Sequence, residues 1–313
     1  MIITVTPNPA LDRTLTVPEI VFDEMVRAVD SRLDLDGKGV NVSKALSLLG
    51  EQTLIMGFAG GSAGAALERG LADQGYATAF TQVAGETRTN TIIIDAAATR
   101  YVKANESGPT IQPAELAAFY EQARAQVRAG DTWILSGSLP PGAPRDFYAH
   151  VVELVQAGGA RALLDTSGEP LRLGCAARPY LVKPNADEAK ELTGQAIDGE
   201  ESARAAAQFF LDRGIELVAL SMGADGLLLA SRASAARARP PRVRALNPVG
   251  AGDALLAGIA WALERRLGLA DLARWGVASG TAAAMRGGTA AAPRGEVEAL
   301  YGQVRVEMLG ASG

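Results

Sequence analysis

Short apolar or β-branched runs alternate along this chain with Ala- and Leu-rich stretches of helical period, the pattern of parallel strands joined by crossover helices. Strands are predicted at Ile2 to Thr6, Leu54 to Phe58, Thr132 to Ser136, Ala162 to Asp165, Tyr180 to Lys183 and Leu217 to Ser221. Helices are predicted at Val42 to Leu49, Ala63 to Gln74, Ala114 to Arg128, Arg145 to Gln156, Ser202 to Asp212, Ala254 to Arg266 and Leu272 to Arg286. A terminal helix is expected from Pro293 to Met308. The core is therefore α/β.

Two regions break the rhythm. Residues 13–36 hold Thr14-Leu-Thr-Val and Val26 to Leu35, and residues 87–105 hold Thr91-Ile-Ile-Ile-Asp and Arg100-Tyr-Val-Lys, all with the period-two alternation of strands and no helix between them. They read as hairpins joined into a small sheet standing off the main body as a lid. One apolar face of such a sheet needs cover, from substrate and the main body or from the same sheet of another subunit, so a homodimer through the lid is expected.

The 313 residues are 48% hydrophobic and contain no apolar run of bilayer-crossing length. The start Met1-Ile-Ile-Thr-Val-Thr reads as a first strand rather than a signal peptide, so a cytoplasmic protein is expected. One cysteine, Cys175, and one histidine, His150, exclude an internal disulfide and a Cys/His zinc site. His150, on a helical stretch, reads as a surface or packing residue. A net charge of −5 with mixed signs argues against a general nucleic-acid surface. The Arg-rich segment Arg232 to Arg244 reads as a solvated loop and strand edge.

The chemistry concentrates in a few turns. Asn247-Pro-Val-Gly-Ala-Gly-Asp253 precedes an apolar helix, placing Asp253 among unpaired N–H groups at a positive dipole end. Gly250, Ala251 and Gly252 let the backbone approach a phosphate, and Asp253 can take the proton of an attacking hydroxyl. A glycine turn whose aspartate merely caps the helix is the plain alternative. In open α/β sheets ligands bind beyond the carboxyl ends of strands. Those ends carry Ser136-Gly-Ser138, Asp165-Thr-Ser-Gly, Lys183-Pro-Asn185-Ala-Asp-Glu188 and Ser221-Met-Gly223-Ala-Asp-Gly226. Asn185 and Glu188, three apart at a helix start, suit Mg²⁺ held through its water shell, or equally a plain helix N-terminus. Ser221, Gly223 and Gly226 would let a base and ribose lie close to backbone. Asp12, Gly37, Lys38, Gly39 and Asn41 offer sugar-binding groups at the end of the first strand and at a helix start, with Arg88 and Lys103 approaching from the lid.

With these residues in view, the chain resembles the ribokinase-like carbohydrate kinases of the phosphofructokinase B type, over essentially its whole length. The resemblance rests on Val249-Gly-Ala-Gly-Asp-Ala-Leu-Leu-Ala-Gly258, Gly37-Lys-Gly-Val-Asn-Val-Ser43, Thr87-Arg-Thr-Asn90, Ser136-Gly-Ser-Leu-Pro-Pro, Lys183-Pro-Asn-Ala-Asp-Glu188 and Ser221-Met-Gly-Ala-Asp-Gly226. It implies one kinase domain over residues 1–313, with a doubly wound sheet and a β lid, ATP and Mg²⁺, and frequently a dimer through the lid. It also implies Asp253 as base, the amides of residues 250–252 as anion hole, and Lys183, Asn185, Glu188, Ser221, Gly223 and Gly226 on the nucleotide side. Opening with Thr6-Pro-Asn-Pro-Ala-Leu-Asp12, the chain is similar to the sugar-phosphate branch, which includes 1-phosphofructokinases, tagatose-6-phosphate kinases and a minor 6-phosphofructokinase. An acceptor that already bears a phosphate needs cations away from its reacting hydroxyl, and Lys38, Arg88 and Lys103 are assigned to it.

The expected acceptors are fructose 1-phosphate, then tagatose 6-phosphate, then fructose 6-phosphate. A kinase of an unphosphorylated sugar or nucleoside, or a nucleotide sensor without turnover, are the alternatives. A dinucleotide oxidoreductase lacks its Gly-x-Gly-x-x-Gly turn after strand one. One departure stands out: members usually have glycine where Asp36 precedes Gly37-Lys-Gly, and Asp36 is expected to face solvent or pair with Lys38.

Overall fold

The computed structural model describes residues 1–97, 100–247, 249–286 and 291–310. Pro248 of the glycine turn lies outside them. The first half runs β1 (Ile2–Thr6), β2 (Ala10–Val17), β3 (Asp30–Asp36), α1 (Lys38–Leu48), β4 (Thr53–Ala59), α2 (Gly61–Asp73), β5 (Ala77–Gln82), β6 (Arg88–Asp95), β7 (Tyr101–Ala104) and α3 (Pro113–Gln126). The middle runs β8 (Thr132–Ser136), α4 (Phe147–Ala157), β9 (Arg161–Asp165), α5 (Gly168–Ala176), β10 (Leu181–Val182), α6 (Ala186–Thr193) and α7 (Glu200–Leu211). The last part holds β11 (Leu217–Ser221), β12 (Leu227–Ser231), β13 (Ser234–Arg239), α8 (Ala251–Glu264), α9 (Leu269–Ala284), α10 (Arg294–Tyr301) and β14 (Arg305–Gly310).

Ten strands form one sheet in the order β14-β13-β12-β11-β10-β9-β8-β1-β4-β5. From β5 to β11 neighbours are parallel, and β12 to β14 extend the sheet antiparallel. The order reverses beside β1, whose chain successors lie on one side and β8 to β11 on the other, so the sheet is doubly wound. Alternate side chains feed two cores. Ile2 and Ile134 face α1, α8 and α9, while Ile3, Trp133 and Leu135 face α3, α4 and α7. Both faces are covered, so the strands read as near-continuous apolar runs.

The two irregular regions form a separate four-stranded sheet in the order β3-β2-β6-β7. β2 pairs antiparallel with β3, β6 antiparallel with β7, and the two hairpins meet along a parallel β2–β6 seam.

Two expectations are corrected at the C-terminal end. The terminal helix stops at Tyr301, and residues 305–310 form β14 on β13 instead of continuing it. Val304, Val306 and Met308 carry the period of a strand, and β13 offers an open edge to receive them. β14 in turn covers part of the Arg-rich segment, so β13 lies inside the sheet rather than in a solvated loop, with Ala236, Arg237 and Ala238 buried. His150 is exposed on α4 with its ring 4.3 Å from that of Tyr120, and Cys175 is buried, its thiol pushed up to about 12 by burial. Among the described residues no helix is long and apolar enough to cross a membrane.

Candidate active site

The reversal of strand order leaves a crevice at the carboxyl ends of β1 and β8, and α1 and α8 both begin there. Gly250 caps α8 at φ 80°, a left-handed conformation suited to glycine, and no side chain caps the helix. The first intrahelical bond runs from Ala254 N–H to the Gly250 carbonyl, leaving the N–H groups of Ala251, Gly252 and Asp253 for a ligand. A Cβ on Gly252 would lie 3.5 Å from Lys183 Nζ, so that ammonium stands beside the helix start.

Asp253 is buried in the first turn of α8, where Asn41 Nδ2 donates to its Oδ2 at 3.1 Å. Burial and, next, the charge of Asp165 push its pKa up to about 7, against the lowering pull of Lys38, Asn41 and Lys183. A carboxylate poised there can take a proton at neutral pH.

Asp165, the last residue of β9, is the hub of this end. Lys38 Nζ and Lys183 Nζ each lie 3.2 Å from its Oδ1. Burial works against its charge, yet the two lysines hold its pKa below the ordinary carboxylate value. Its Oδ2 is buried without a partner. The sequence placed Asp165 on the rim but assigned it no role; its position at a parallel strand's carboxyl end was the available signal. Lys38, expected to serve the acceptor's resident phosphate, is paired in the structure with Asp165. Lys38 opens α1 against Gly137, whose hypothetical Cβ would lie 3.8 Å from the Lys38 Cβ, and its ammonium reaches Asp165 beside Asp253. Burial depresses the Lys38 pKa, but Asp165, Asp253 and Glu188 outweigh it and raise the value.

Gly37 and Gly39 fit α1 against β1. Gly37 has φ 139°, and a Cβ on Gly39 would come within 2.3 Å of Thr6 Oγ1. Asp36 is half-buried and does not pair with Lys38, which is committed to Asp165. Its Oδ1 accepts the Asn41 Nδ2–H at 2.8 Å.

A second group gathers on the small sheet. Asp12 and Asn90 are register partners on β2 and β6, so their side chains share a face, and Asn90 Nδ2 donates to Asp12 Oδ1 at 2.7 Å. Lys103 Nζ is 3.4 Å from Asp12 Oδ2. Burial and then Asp36 raise the Asp12 pKa, against Asn90 and Lys103. Arg88 Nη2 donates to the Asn8 carbonyl at 2.9 Å, and its Nε is buried without a partner. A cleft of about 640 Å³ lies alongside, with Asn8, Arg88, Ser107, Ser138, Arg145 and Thr166 on its walls. Ser138 is exposed to it, whereas Ser136 is wholly buried in β8 with its hydroxyl unpartnered. Asn8, Asn90 and Arg145 were not singled out from the sequence; Arg145 was read only as a helix start.

On the nucleotide side Asn185 and Glu188 form a capping box at α6. Glu188 N–H donates to Asn185 Oδ1 and Asn185 N–H to Glu188 Oε2, both at 2.8 Å. Glu188 Oε1 is outside that box, and burial raises the Glu188 pKa. Among the described residues no group of three or more His, Cys, Asp and Glu side chains is arranged to hold a metal ion. Ser221 ends β11, bridged to Asn185. The following turn is closed by a Met222 N–H bond to the Gly226 carbonyl, with Gly223 at φ 55° and Gly226 at φ 85°.

Comparison with known proteins agrees with this geometry. The family described as "pfkB family carbohydrate kinase" matches residues 9–294. A 1-phosphofructokinase of Rhodobacter capsulatus is 38% identical over 309 residues, covering 98% of both chains. A 1-phosphofructokinase of Xanthomonas campestris is 41% identical over 270 residues, covering 83% of both. The crystal structure of phosphofructokinase-2 from Escherichia coli in complex with fructose-6-phosphate superimposes with a TM-score of 0.90 at 28% identity, over 96% of this chain and 98% of that one. The chain belongs to the pfkB family of carbohydrate kinases.

Proposed function

We propose that the protein is a 1-phosphofructokinase, transferring the γ-phosphoryl group of ATP to the C6 hydroxyl of fructose 1-phosphate to give ADP and fructose 1,6-bisphosphate. The observation that carries this reading is Asp253: a buried carboxylate with a pKa near 7 beside unoccupied helix amides and two lysines. The attacking oxygen forms its bond to γ-phosphorus as the bond to the β–γ bridging oxygen breaks, and the hydroxyl proton passes to Asp253. The amides of residues 251–253, with Lys38 and Lys183, oppose the negative charge of the moving group. Asp165 fixes both ammonium groups on one oxygen.

The chosen acceptor follows the names of relatives that match nearly the whole chain. A phosphate at C1 lies at the opposite end of the sugar from C6, and Arg88 and Lys103 stand on the small sheet, away from the head of α8. Asp12 and Asn41 are assigned to sugar hydroxyls, with Ser138 at the cleft wall.

Mg²⁺ suits the donors present only through water and phosphate, because the capping box already engages Asn185 Oδ1 and Glu188 Oε2 and leaves Glu188 Oε1 to accept from a metal-bound water. When bound it would neutralise the phosphate oxygens.

The small sheet is read as a lid and as the seam of a homodimer. Its neighbourhood exposes Phe22 at 77%, Met25 at 87% and Tyr101 at 72%, an apolar surface that a second copy would cover. A tetrameric form is known for Escherichia coli phosphofructokinase-2, so light scattering with and without ATP is the check on stoichiometry. Both substrates are multiply charged anions retained by membranes, which supports a cytoplasmic enzyme.

ADP release measured in parallel with fructose 1-phosphate, fructose 6-phosphate, tagatose 6-phosphate and ribose tests the assignment. The highest kcat/KM is expected for fructose 1-phosphate, with ribose far below. A higher value for either 6-phosphate would overturn the acceptor, and ATP binding without ADP release on any sugar would reduce the protein to a nucleotide sensor.

A further inference from the structure

Asn41 stands between two carboxylates. Its Nδ2 has two protons, one donated to Asp36 Oδ1 at 2.8 Å and the other to Asp253 Oδ2 at 3.1 Å. Its Oδ1 is buried and has no partner among the described residues. Asp36 occupies the last position of β3, immediately before the Gly37-Lys38-Gly39 turn that opens α1, and Asn41 lies on the first turn of that helix. We infer that Asp36 is a positioning residue, which through Asn41 holds a hydrogen-bond donor on the catalytic base and turns the amide oxygen toward the acceptor.

The physical argument concerns the amide's two orientations. With Asp253 ionised, either carboxylate alone favours the orientation that presents Nδ2. Once Asp253 has taken the proton it becomes a donor, and the flipped amide, with Oδ1 accepting from Asp253, becomes competitive. Asp36 removes that alternative: flipping would bring Oδ1 against the carboxylate oxygen that now accepts from Nδ2. The donor thus stays on Asp253 through the catalytic cycle and assists loss of the proton. The buried, unpartnered Oδ1 is left free to accept from a hydroxyl, and an unmet acceptor in such a place is costly unless a ligand satisfies it.

Cations on two elements face Asp36. Lys44, one turn along α1 from Asn41, bonds the Leu35 carbonyl and feels Asp36, Asp34 and Asp12, while Arg88 on β6 feels Asp36 and Asp12. Asp12 on β2 is the like charge opposing it. Around Asp253 the facing charged groups are Asp165 from β9, Lys38 from α1 and Lys183 after β10, none of which touches Asp36 in place of Asn41. Glycine, usual at this position in the family, would leave the Asn41 amide with Asp253 alone.

This inference rests on Asp253 being the base, and the test separates the two. The acid limb of kcat against pH is measured for wild type, Asp36→Ala and Asp36→Asn, with saturating ATP and fructose 1-phosphate. Loss of the acceptor in Asp36→Ala frees Asn41 to flip, so Asp253 loses a donor and the limb moves up by roughly one pH unit, with a raised KM for the sugar phosphate and an unchanged KM for ATP. Asp36→Asn keeps an oxygen for Asn41 and returns the limb most of the way toward wild type. If charge alone mattered, both variants would lose a negative neighbour and the limb would move down in both; that result, or an unmoved limb in Asp36→Ala, overturns the proposal. Should Asp36→Ala fail to fold, Asp36→Leu in its place poses the same question, and a downward or wild-type limb sinks the idea equally. Full turnover in Asp253→Asn would instead remove the base itself, a failure visible without any Asp36 variant.

Discussion

Asp253 at the head of α8 and Asp12 in β2 are both buried acids, and burial raises the pKa of each. Their supports differ. Asp253 is surrounded by groups from α1, β9 and the turn after β10, all anchored in the ten-stranded sheet, and its neighbour Asp165 ties two lysines to one oxygen. Asp12 is held by Asn90 and Lys103 from strands of its own four-stranded sheet, and the Lys103 side chain keeps a third of its surface exposed. Charge in the first region is fixed by two ammonium groups on one buried carboxylate oxygen, Lys183 buried and Lys38 partly exposed; in the second a single lysine and an amide hold the acid on a smaller element. Under the proposed function, transfer chemistry belongs to the crevice of the ten-stranded sheet and acceptor recognition to the four-stranded one.

The sharpest way to break this contrast is Asp253→Asn. Turnover is expected to fall by about 10² to 10⁴ with affinity for the sugar phosphate mostly kept, measured by steady-state kinetics and isothermal titration. The same variant has a stability signature. The folded pKa of Asp253 is raised above its unfolded value, so its contribution favours folding below about pH 4 and is lost as pH rises through about 7. Asp253→Asn, uncharged throughout, should melt above wild type at pH 8, with the gap closing toward pH 4; an inactive variant that is also less stable at pH 8 would mean the carboxylate is a structural cap.

Arg88→Ala probes the other region. Its unpartnered Nε and its place on the cleft wall lead to an expected rise of roughly 10- to 100-fold in KM for the sugar phosphate, as for loss of a charge-assisted bond, with KM for ATP unchanged. The reverse pattern would mean that the two substrates occupy the opposite ends. Lys103→Ala should act in the same direction by less, about 3- to 10-fold, because its side chain, a third exposed, is screened by solvent. Equal effects from Arg88 and Lys103 would erase the distinction between buried and open supports.

The smallest expected effect is on pH. In wild type kcat falls about tenfold per unit well below pH 7, as the base becomes protonated. Lys103→Ala, acting on the separate sheet, should leave that limb in place.

Much of the main sheet could be read from the chain because its strands are buried on both faces and announce themselves as apolar runs: Ile2–Thr6, Thr132–Ser136 and Leu217–Ser221 begin and end where the runs do. β14 could not be read with equal ease. Its alternation is short, it follows a true helix, and its strand character depends on an edge supplied by β13 from far along the chain. β5, Ala77–Gln82, was not anticipated for a similar reason: small and polar residues alternate there, and pairing with β4 decides the matter. Among site residues, a glycine turn pointed to Asp253 through local backbone demands, and the end of a buried strand pointed to Lys183. The pairing of Lys38 with Asp165 was not foreseen because the two are 127 positions apart and only the doubly wound topology brings them together. Asp36 was recognisable as unusual, but its bond to Asn41 required the angle between β3 and α1.

The order of strands also bears on how the polypeptide emerges from the ribosome. Once β1, β4 and β5 have associated, β8 joins the free margin of β1, and every later member from β9 to β14 joins the margin left by its predecessor, in the sequence in which it is synthesised. No segment has to be inserted between two that are already paired, so nascent protein can consolidate progressively from its first residues outward.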